Sequence, residues 1–348
     1  MEKVPVLSGW IDGASVITTV CHARPDGDAA GSSIAMAAYL RACRGKDAVA
    51  VFPSSFPATL DFLLDGAEAI FADTDPGAAA ARIQASDLLI CLDFNTISRT
   101  EALEETVRSF KGRKVLIDHH EDPRTEEFSL CFSETGISST CELLYEILLT
   151  MPDISGDASA LPALTSTALM TGMTTDTNNF ANSVYPGTLR MASGLLAAGV
   201  DRDSIIDHIY CSERPNRLAA QGEMLSKCMH LLPCGAACTI FDNAFMARHG
   251  LREGETEGFV NLPLAIKDVR LSVFAREDKD FFRVSVRSKK GVSARILARD
   301  FFHGGGHEQA AGGRVYIPAD VASADQVESY IERITARFLQ ENASVAKQ

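Results

Sequence analysis

The sequence predicts a two-domain α/β protein whose first domain carries a parallel sheet. Three observations lead there. The chain has 348 residues, more than one hydrophobic core usually spans. Its first half alternates short apolar runs with segments of helical spacing, the pattern of βαβ units. After a long helical stretch, a second α/β pattern begins near residue 233. The expected division is a catalytic domain over 1–190, a helical linker over 191–232, and a smaller mixed α/β domain over 233–341.

In the first half, Ser15–Val20, Ala48–Phe52, Leu88–Leu92 and Val115–Ile117 read as strands, short apolar runs bounded by polar residues. Helices are expected at Ala29–Cys43, Gly77–Ala85, Glu101–Phe110, Ser138–Thr150 and Ala158–Met170. Ser138 or Ser139 can cap the fourth of these. From Pro186 to Leu232 the pattern is helical throughout, broken at Pro186-Gly187 and Pro215. Strands follow at Ala236–Phe241, Val269–Ala275, Phe281–Val286 and Val315–Ile317, with helices over Val292–Phe302 and Ala324–Leu339. The tail Asn342–Gln348 is expected to fray.

Composition narrows the function classes. At 46% hydrophobic and 23% charged the chain is an ordinary globular protein. No apolar run approaches the roughly 20 residues that span a bilayer, so no membrane partner is expected. The N-terminus lacks a basic segment leading into an apolar one, and a cytoplasmic location is expected. Nine Cys, an odd number without a CxxC pair, read as reduced thiols and argue against a disulfide framework or a structural zinc. A net charge of −13 disfavours long duplex partners. The stretch 265–300, with ten Lys/Arg against five Asp/Glu, suits a small or short anion better.

The chemistry concentrates in five clusters. His22, Asp26 and Asp28 lie on a strand-to-helix turn that Pro25 and Gly27 sharpen. Asp28 could instead serve only as a helix cap, which would leave His22 and Asp26 unexplained. Asp93 follows the run Leu88–Leu92, with Arg99 six residues on. Asp118-His119-His120 ends the run starting at Lys114, and Asp176 lies in a Thr/Asn-rich segment. Strand ends of a parallel sheet share one edge, where open α/β sheets bind ligands. Four carboxylates meeting there, Asp26, Asp28, Asp93 and Asp176, would repel unless cations neutralised them. Two divalent ions balance four Asp charges, and mixed imidazole–carboxylate ligation favours Mn²⁺, with Fe²⁺, Co²⁺ or Zn²⁺ as alternatives. Paired metals about 3.5–4 Å apart suit phosphate-ester hydrolysis, because they supply hydroxide at neutral pH. The fifth cluster is Gly304-Gly305-Gly306-His307, whose backbone N–H groups and imidazole can face an anion. Arg287-Ser288 on the preceding strand adds a guanidinium for bidentate phosphate contact.

These motifs, His22-x-x-Pro-Asp26-x-Asp28, Asp93 with Arg99, Asp118-His119-His120, Asp176-Thr177 and Gly304-Gly305-Gly306-His307, resemble in order those of the DHH/DHHA1 phosphoesterases. Length and layout look most like the branch of bifunctional oligoribonucleases and 3′-phosphoadenosine 5′-phosphate (pAp) phosphatases. The resemblance implies one metal held by His22, Asp26 and Asp93, and a second by Asp28, Asp93, His119 and Asp176, with Asp93 bridging. It implies His120 on the scissile phosphate, Asp118 orienting a neighbour, and Arg99, Arg287, Ser288, Gly304–Gly306 and His307 on the substrate. The active site is expected in a cleft between the domains, cleaving short single-stranded RNA to mononucleotides and pAp to AMP. A homodimer is compatible with this reading. Two departures stand out: Asn178 and His303 occupy positions where relatives often have Gly, and Asn tolerates the left-handed backbone such a turn needs. A phosphodiesterase for cyclic or linear dinucleotides is the alternative function. A non-catalytic nucleotide-binding protein is the second alternative, which loss of a ligand would have supported.

Overall fold

A computed structural model describes residues 1–252 and 254–345. The chain divides into two compact units that meet in sequence between Ser212 and Glu213. The first contains α1 (Val4–Gly13), β1 (Val16–Val20), α2 (Gly27–Arg44), β2 (Asp47–Phe52), β3 (Ala69–Phe71), α3 (Pro76–Gln84) and β4 (Leu88–Leu92). It continues with α4 (Glu104–Ser109), β5 (Arg113–Asp118), β6 (Leu130–Ser133), α5 (Thr140–Thr150), α6 (Ala163–Asp176), α7 (Pro186–Ala197) and α8 (Arg202–Tyr210).

Its six strands form one sheet in the order β3-β2-β1-β4-β5-β6, every neighbouring pair parallel. The strands are apolar on both faces because both faces are covered. Along β4, Leu88, Ile90 and Leu92 enter the core that includes α1, α2, α5 and α6. Leu89 and Cys91 enter the opposite core, with Ala79 and Ile83 of α3 and Val107 of α4. Strand order reverses between β1 and β4, which opens a crevice at their C-terminal ends.

Three elements here escaped the sequence pattern. The strands β3 and β6 are edge strands of three and four residues, too short to show a period. Helix α1 buries Val4, Leu7 and Ile11 on one stripe, but Gly9 and Gly13 weaken its helical signature. The helix expected at Ala158–Met170 instead spans Ala163–Asp176, after a 3₁₀ turn at Ala158–Ala160. Its C-terminal half is rich in Thr, a poor helix former. Those hydroxyls bond back to the preceding turn, as Thr171 Oγ1 does to the Thr167 carbonyl at 2.9 Å. Packing on α2 overrides the local preference.

The second unit holds α9 (Pro215–Glu223), β7 (Met229–Leu232), β8 (Ala236–Phe241), α10 (Asn243–His249), β9 (Leu271–Glu277) and β10 (Phe281–Ser288). It ends with α11 (Ala294–Phe301), β11 (Gly305–Gly306), β12 (Ala310–Tyr316) and α12 (Val327–Val345). The sheet order is β11-β12-β10-β9-β8-β7, antiparallel except for the β8/β9 pair. The core against α11 and α12 includes Val273, Val284, Leu297 and Ile331, and a Phe-rich core including Phe241, Phe259 and Phe274 fills the other side.

The stretch read as helical to Leu232 is corrected at its end: α9 runs into a π-turn at Met224–Cys228, then into strand β7. The strand pairs on one side only, so its four residues carry little alternation. Of the tail expected to fray, α12 occupies positions up to Val345, and 346–348 lie outside the described residues.

Candidate metal-binding active site

The crevice at the end of β1 and β4 gathers the predicted residues. Just past β1, His22 places Nδ1 2.9 Å from the Ala23 carbonyl. A carbonyl can only accept, so Nδ1 carries a proton; Nε2 then donates toward Asp93 while the ring is charged and offers a lone pair once it is neutral. That Nε2 lies 3.5 Å from Asp93 Oδ2 and 3.9 Å from Asp26 Oδ1. Asp26, not Asp28, caps α2: its Oδ1 accepts the amides of Asp28 and Ala29 at 3.0 and 3.1 Å. Asp28 sits inside the first turn, fully buried. Its two oxygens accept the Thr140 and Cys141 amides at 2.7 and 2.9 Å, the first N–H groups of α5. Those amides belong to the four at a helix start without an intrahelical partner, and they favour negative charge.

Asp93 follows β4 in the left-handed region, at φ +63°. Such backbone is costly for a residue with a side chain and persists where the surroundings impose it. Here the main-chain amide is held by the Ile117 carbonyl at 3.1 Å, and the Thr140 hydroxyl donates to Oδ1 at 3.0 Å. From the end of β5, His119 Nε2 stands 3.6 Å from Asp93 Oδ1, 3.6 Å from Asp176 Oδ2 and 3.9 Å from Asp28 Oδ2. His120 Nδ1 donates to Asp118 Oδ1 at 2.7 Å and lies 3.7 Å from Asp93 Oδ1. Asp118 is buried, and its Oδ2 has no hydrogen-bond partner among the described residues. Asp176 is the last residue of α6. The chain leaves it through three positive-φ residues, Asn178, Asn179 and Phe180, which bears out the left-handed turn expected at Asn178.

Electrostatics follow from crowding four carboxylates in a buried place. Burial and the charges of Asp93, Asp176 and Asp26 push Asp28 well above the usual carboxylate range. Burial and Asp93 push Asp176 up to about 8. Asp93 is held low: burial opposes its charge, but the hydrogen bond and charge of His22 and the charges of His120 and His119 outweigh it. His120 rises to about 9, burial being overcome by the Asp118 hydrogen bond and by Asp93. His22 is raised likewise through Asp93, whereas burial lowers His119.

Three ligand sets overlap: His22, Asp26 and Asp93; Asp28, His119 and Asp176; and Asp93, His119 and His120. In each, the ligand atoms lie within 4.8 Å of one another. Oxygen and imidazole donors around a surplus of negative charge fit divalent cations. Without cations, the cluster must take up protons to relieve the repulsion.

The substrate candidates are spread more widely. Arg99 is exposed, yet its charge acts on His120. In the second unit, Arg287 is half-buried and its guanidinium donates to the Val286 carbonyl at 3.0 Å. The Ser288 hydroxyl donates to the Val292 carbonyl at 2.6 Å, so it organises its own turn. Gly305 and Gly306 are a strand, paired with Gly312 and Ala311. A Cβ on Gly304 would fall 1.9 Å from the Gly312 carbonyl oxygen, so close backbone approach demands glycine there. His307 is exposed at the hairpin turn, its amide bonded to the Ala310 carbonyl at 2.7 Å. His303 adopts φ +49°, a backbone that glycine takes at less cost, and its ring bonds Asp320 at 2.9 Å. Sequence reasoning missed Thr140 and the α5 amides. Ser138-Ser139-Thr140 signals a helix cap, and nothing local indicates that the cap faces Asp28 from 112 residues away.

Residues 16–173 match the DHH family, N-terminal domain, and residues 239–338 the DHHA1 domain. The chain is 30% identical over 315 residues to the bifunctional oligoribonuclease and PAP phosphatase NrnA of Thermus thermophilus, covering 90% of this chain and 87% of that one. It is 24% identical to the cyclic-di-AMP phosphodiesterase GdpP of Bacillus subtilis, over 84% of this chain but 44% of that one. The crystal structure of an exopolyphosphatase-related protein from Bacteroides fragilis superposes with a TM-score of 0.91 at 29% identity, over 98% of each chain. Fold, cluster and relatives together define a phosphoester hydrolase. The chain belongs to the DHH family, with a DHHA1 domain as its second part.

Proposed function

We propose that the protein hydrolyses short oligoribonucleotides to mononucleotides and pAp to AMP, with Mn²⁺ as its favoured metal. The observation carrying this is a pair of ligand sets, His22-Asp26-Asp93 and Asp28-His119-Asp176, joined by a third that takes Asp93 from one and His119 from the other, in a chain similar across most of its length to oligoribonucleases and PAP phosphatases. His22, Asp26 and Asp93 would hold one cation, and Asp28, Asp93, His119 and Asp176 the other. Bound divalent cations supply Lewis acidity toward the phosphate and lower the pKa of water. The α5 amides and the Thr140 hydroxyl aim Asp28 and Asp93, and bound cations would offset the repulsion that raises Asp28. His120, kept protonated by Asp118, donates to a phosphate oxygen and stabilises the charge that builds there. Arg99 adds positive charge beside it. In the second unit, Arg287, His307 and the backbone around Gly304–Gly306 are assigned to the nucleotide.

The test is a side-by-side Mn²⁺ assay on pAp, a linear diadenylate, a five-nucleotide RNA and cyclic diadenylate. Turnover of the first three ahead of the last is expected. Preference for the cyclic compound would replace this reading with the cyclic-dinucleotide one, and loss of all phosphate release would leave only a binding protein.

A further inference from the structure

Arg24 lies in the loop between His22 and Asp26, outside the metal-ligand sets. Its guanidinium makes a two-bond pair with Glu101, Nη1 to Oε2 at 2.9 Å and Nη2 to Oε1 at 2.5 Å. Glu101 is two residues from Arg99, on the segment that follows Asp93. The two loops are also joined by the Ala23 amide and the Arg99 carbonyl at 2.8 Å, and the Arg24 amide is held by Ser54 Oγ at 2.8 Å. Both partners adopt left-handed backbone, φ +53° at Arg24 and φ +42° at Glu101. Their side chains remain exposed, 72% and 51%. An exposed ion pair contributes less than two such backbones cost, so the pair does not account for its own conformation. What the conformation achieves is a guanidinium fork held beside the metal-ligand loop by a removable anion. A carboxylate gripped by both arms of an Arg occupies the place a phosphate would take.

We propose that Arg24 is the subsite for a second, non-scissile phosphate of the substrate, with Glu101 as its internal stand-in. When a substrate carrying two phosphates binds, the non-scissile one displaces the Glu101 carboxylate from the guanidinium. The inference rests on the phosphoesterase reading. It implies selection for compounds with a phosphate on either side of a nucleoside over simple phosphodiesters.

The experiment is steady-state kinetics with Mn²⁺ on pAp and on bis(p-nitrophenyl) phosphate, which has a single phosphate. Arg24→Gln should raise KM for pAp about tenfold more than KM for the one-phosphate compound, with kcat moving little on either. Arg24→Lys keeps the charge but not the fork and should fall between. Glu101→Gln should lower KM for pAp, since the competing carboxylate is gone. Equal losses of kcat on both compounds in the Arg24 and Glu101 variants, restored by the charge-swapped double variant, would make the pair a structural latch and overturn the subsite. A wild-type protein inactive on both compounds would sink the phosphoesterase reading, and the subsite with it.

Discussion

Asp93 concentrates the physical argument at the scale of single residues. It is buried, held in left-handed backbone, and placed in two of the ligand sets. Asn accepts the same backbone and the same Thr140 bond but carries no charge. Asp93→Asn should therefore fold as well as wild type without metal, or better, while Mn²⁺-dependent turnover drops more than about 100-fold. Thermal melting with chelator and initial rates with Mn²⁺ measure the two halves. Asp118 acts through His120. While Asp118 holds the imidazolium up to about 9, activity that needs the charged ring should persist until the pH passes that value. In Asp118→Asn the alkaline limb of kcat/KM should move down toward the ordinary His range, and an unmoved limb would remove His120 from the phosphate. The cluster also sets stability. Asp28, Asp176, His22 and His120 all bind protons more tightly folded than unfolded. Their contribution is present at acid pH and lost as pH rises through their folded values. His119 opposes this near neutrality, and Asp93 only in acid. Melting of the metal-free protein should accordingly fall from about pH 5 to about pH 9, and saturating Mn²⁺ should flatten that slope.

Among the elements, α5 and α6 deliver what no strand end supplies. Helix α5 points its first amides at Asp28, and its cap is Ser139, whose hydroxyl accepts the Glu142 amide at 3.0 Å. Ser139→Ala should cost about 1 kcal/mol, a drop of about 2–4 °C in a unit of this size, and should weaken Mn²⁺ binding as the helix start loosens. Helix α6 passes α2 so closely that a Cβ on Gly172 would sit 2.2 Å from Cys141 Sγ and 2.9 Å from Asp28 Oδ1. Gly172→Ala should destabilise the fold and reduce metal affinity together. Adding Cys141→Ala should recover part of the melting temperature but little of the affinity, because the contact with Asp28 remains. Titration calorimetry on the two variants separates these effects. Asp93 and Asp118 were legible from their places beside apolar runs, whereas Asp176 stood out only through its motif. The α6 contact was not, because a glycine in a Thr-rich segment reads locally as a weak helix.

Taken whole, the molecule is acidic, at net −13, with a locally basic stretch over 265–300. A protein of that charge meets few phosphates at once. For a pentanucleotide with about three phosphate contacts, log KM should rise with log salt at a slope of about 2, the value for single strands. A much steeper slope would indicate a longer tract than proposed. From residues alone came the class of fold, the places of the central strands, and the Asp and His residues that the structure gathers into one cluster. Those signals are local: a run of apolar residues, a turn, an Asp or His beside it. Tertiary structure alone decided that β1 lies against β4, that α6 extends to Asp176, and that Asp28 takes its hydrogen bonds from α5. The reason is that strand order and helix contacts are chosen by burial among residues far apart in the chain, and no window of sequence contains both partners.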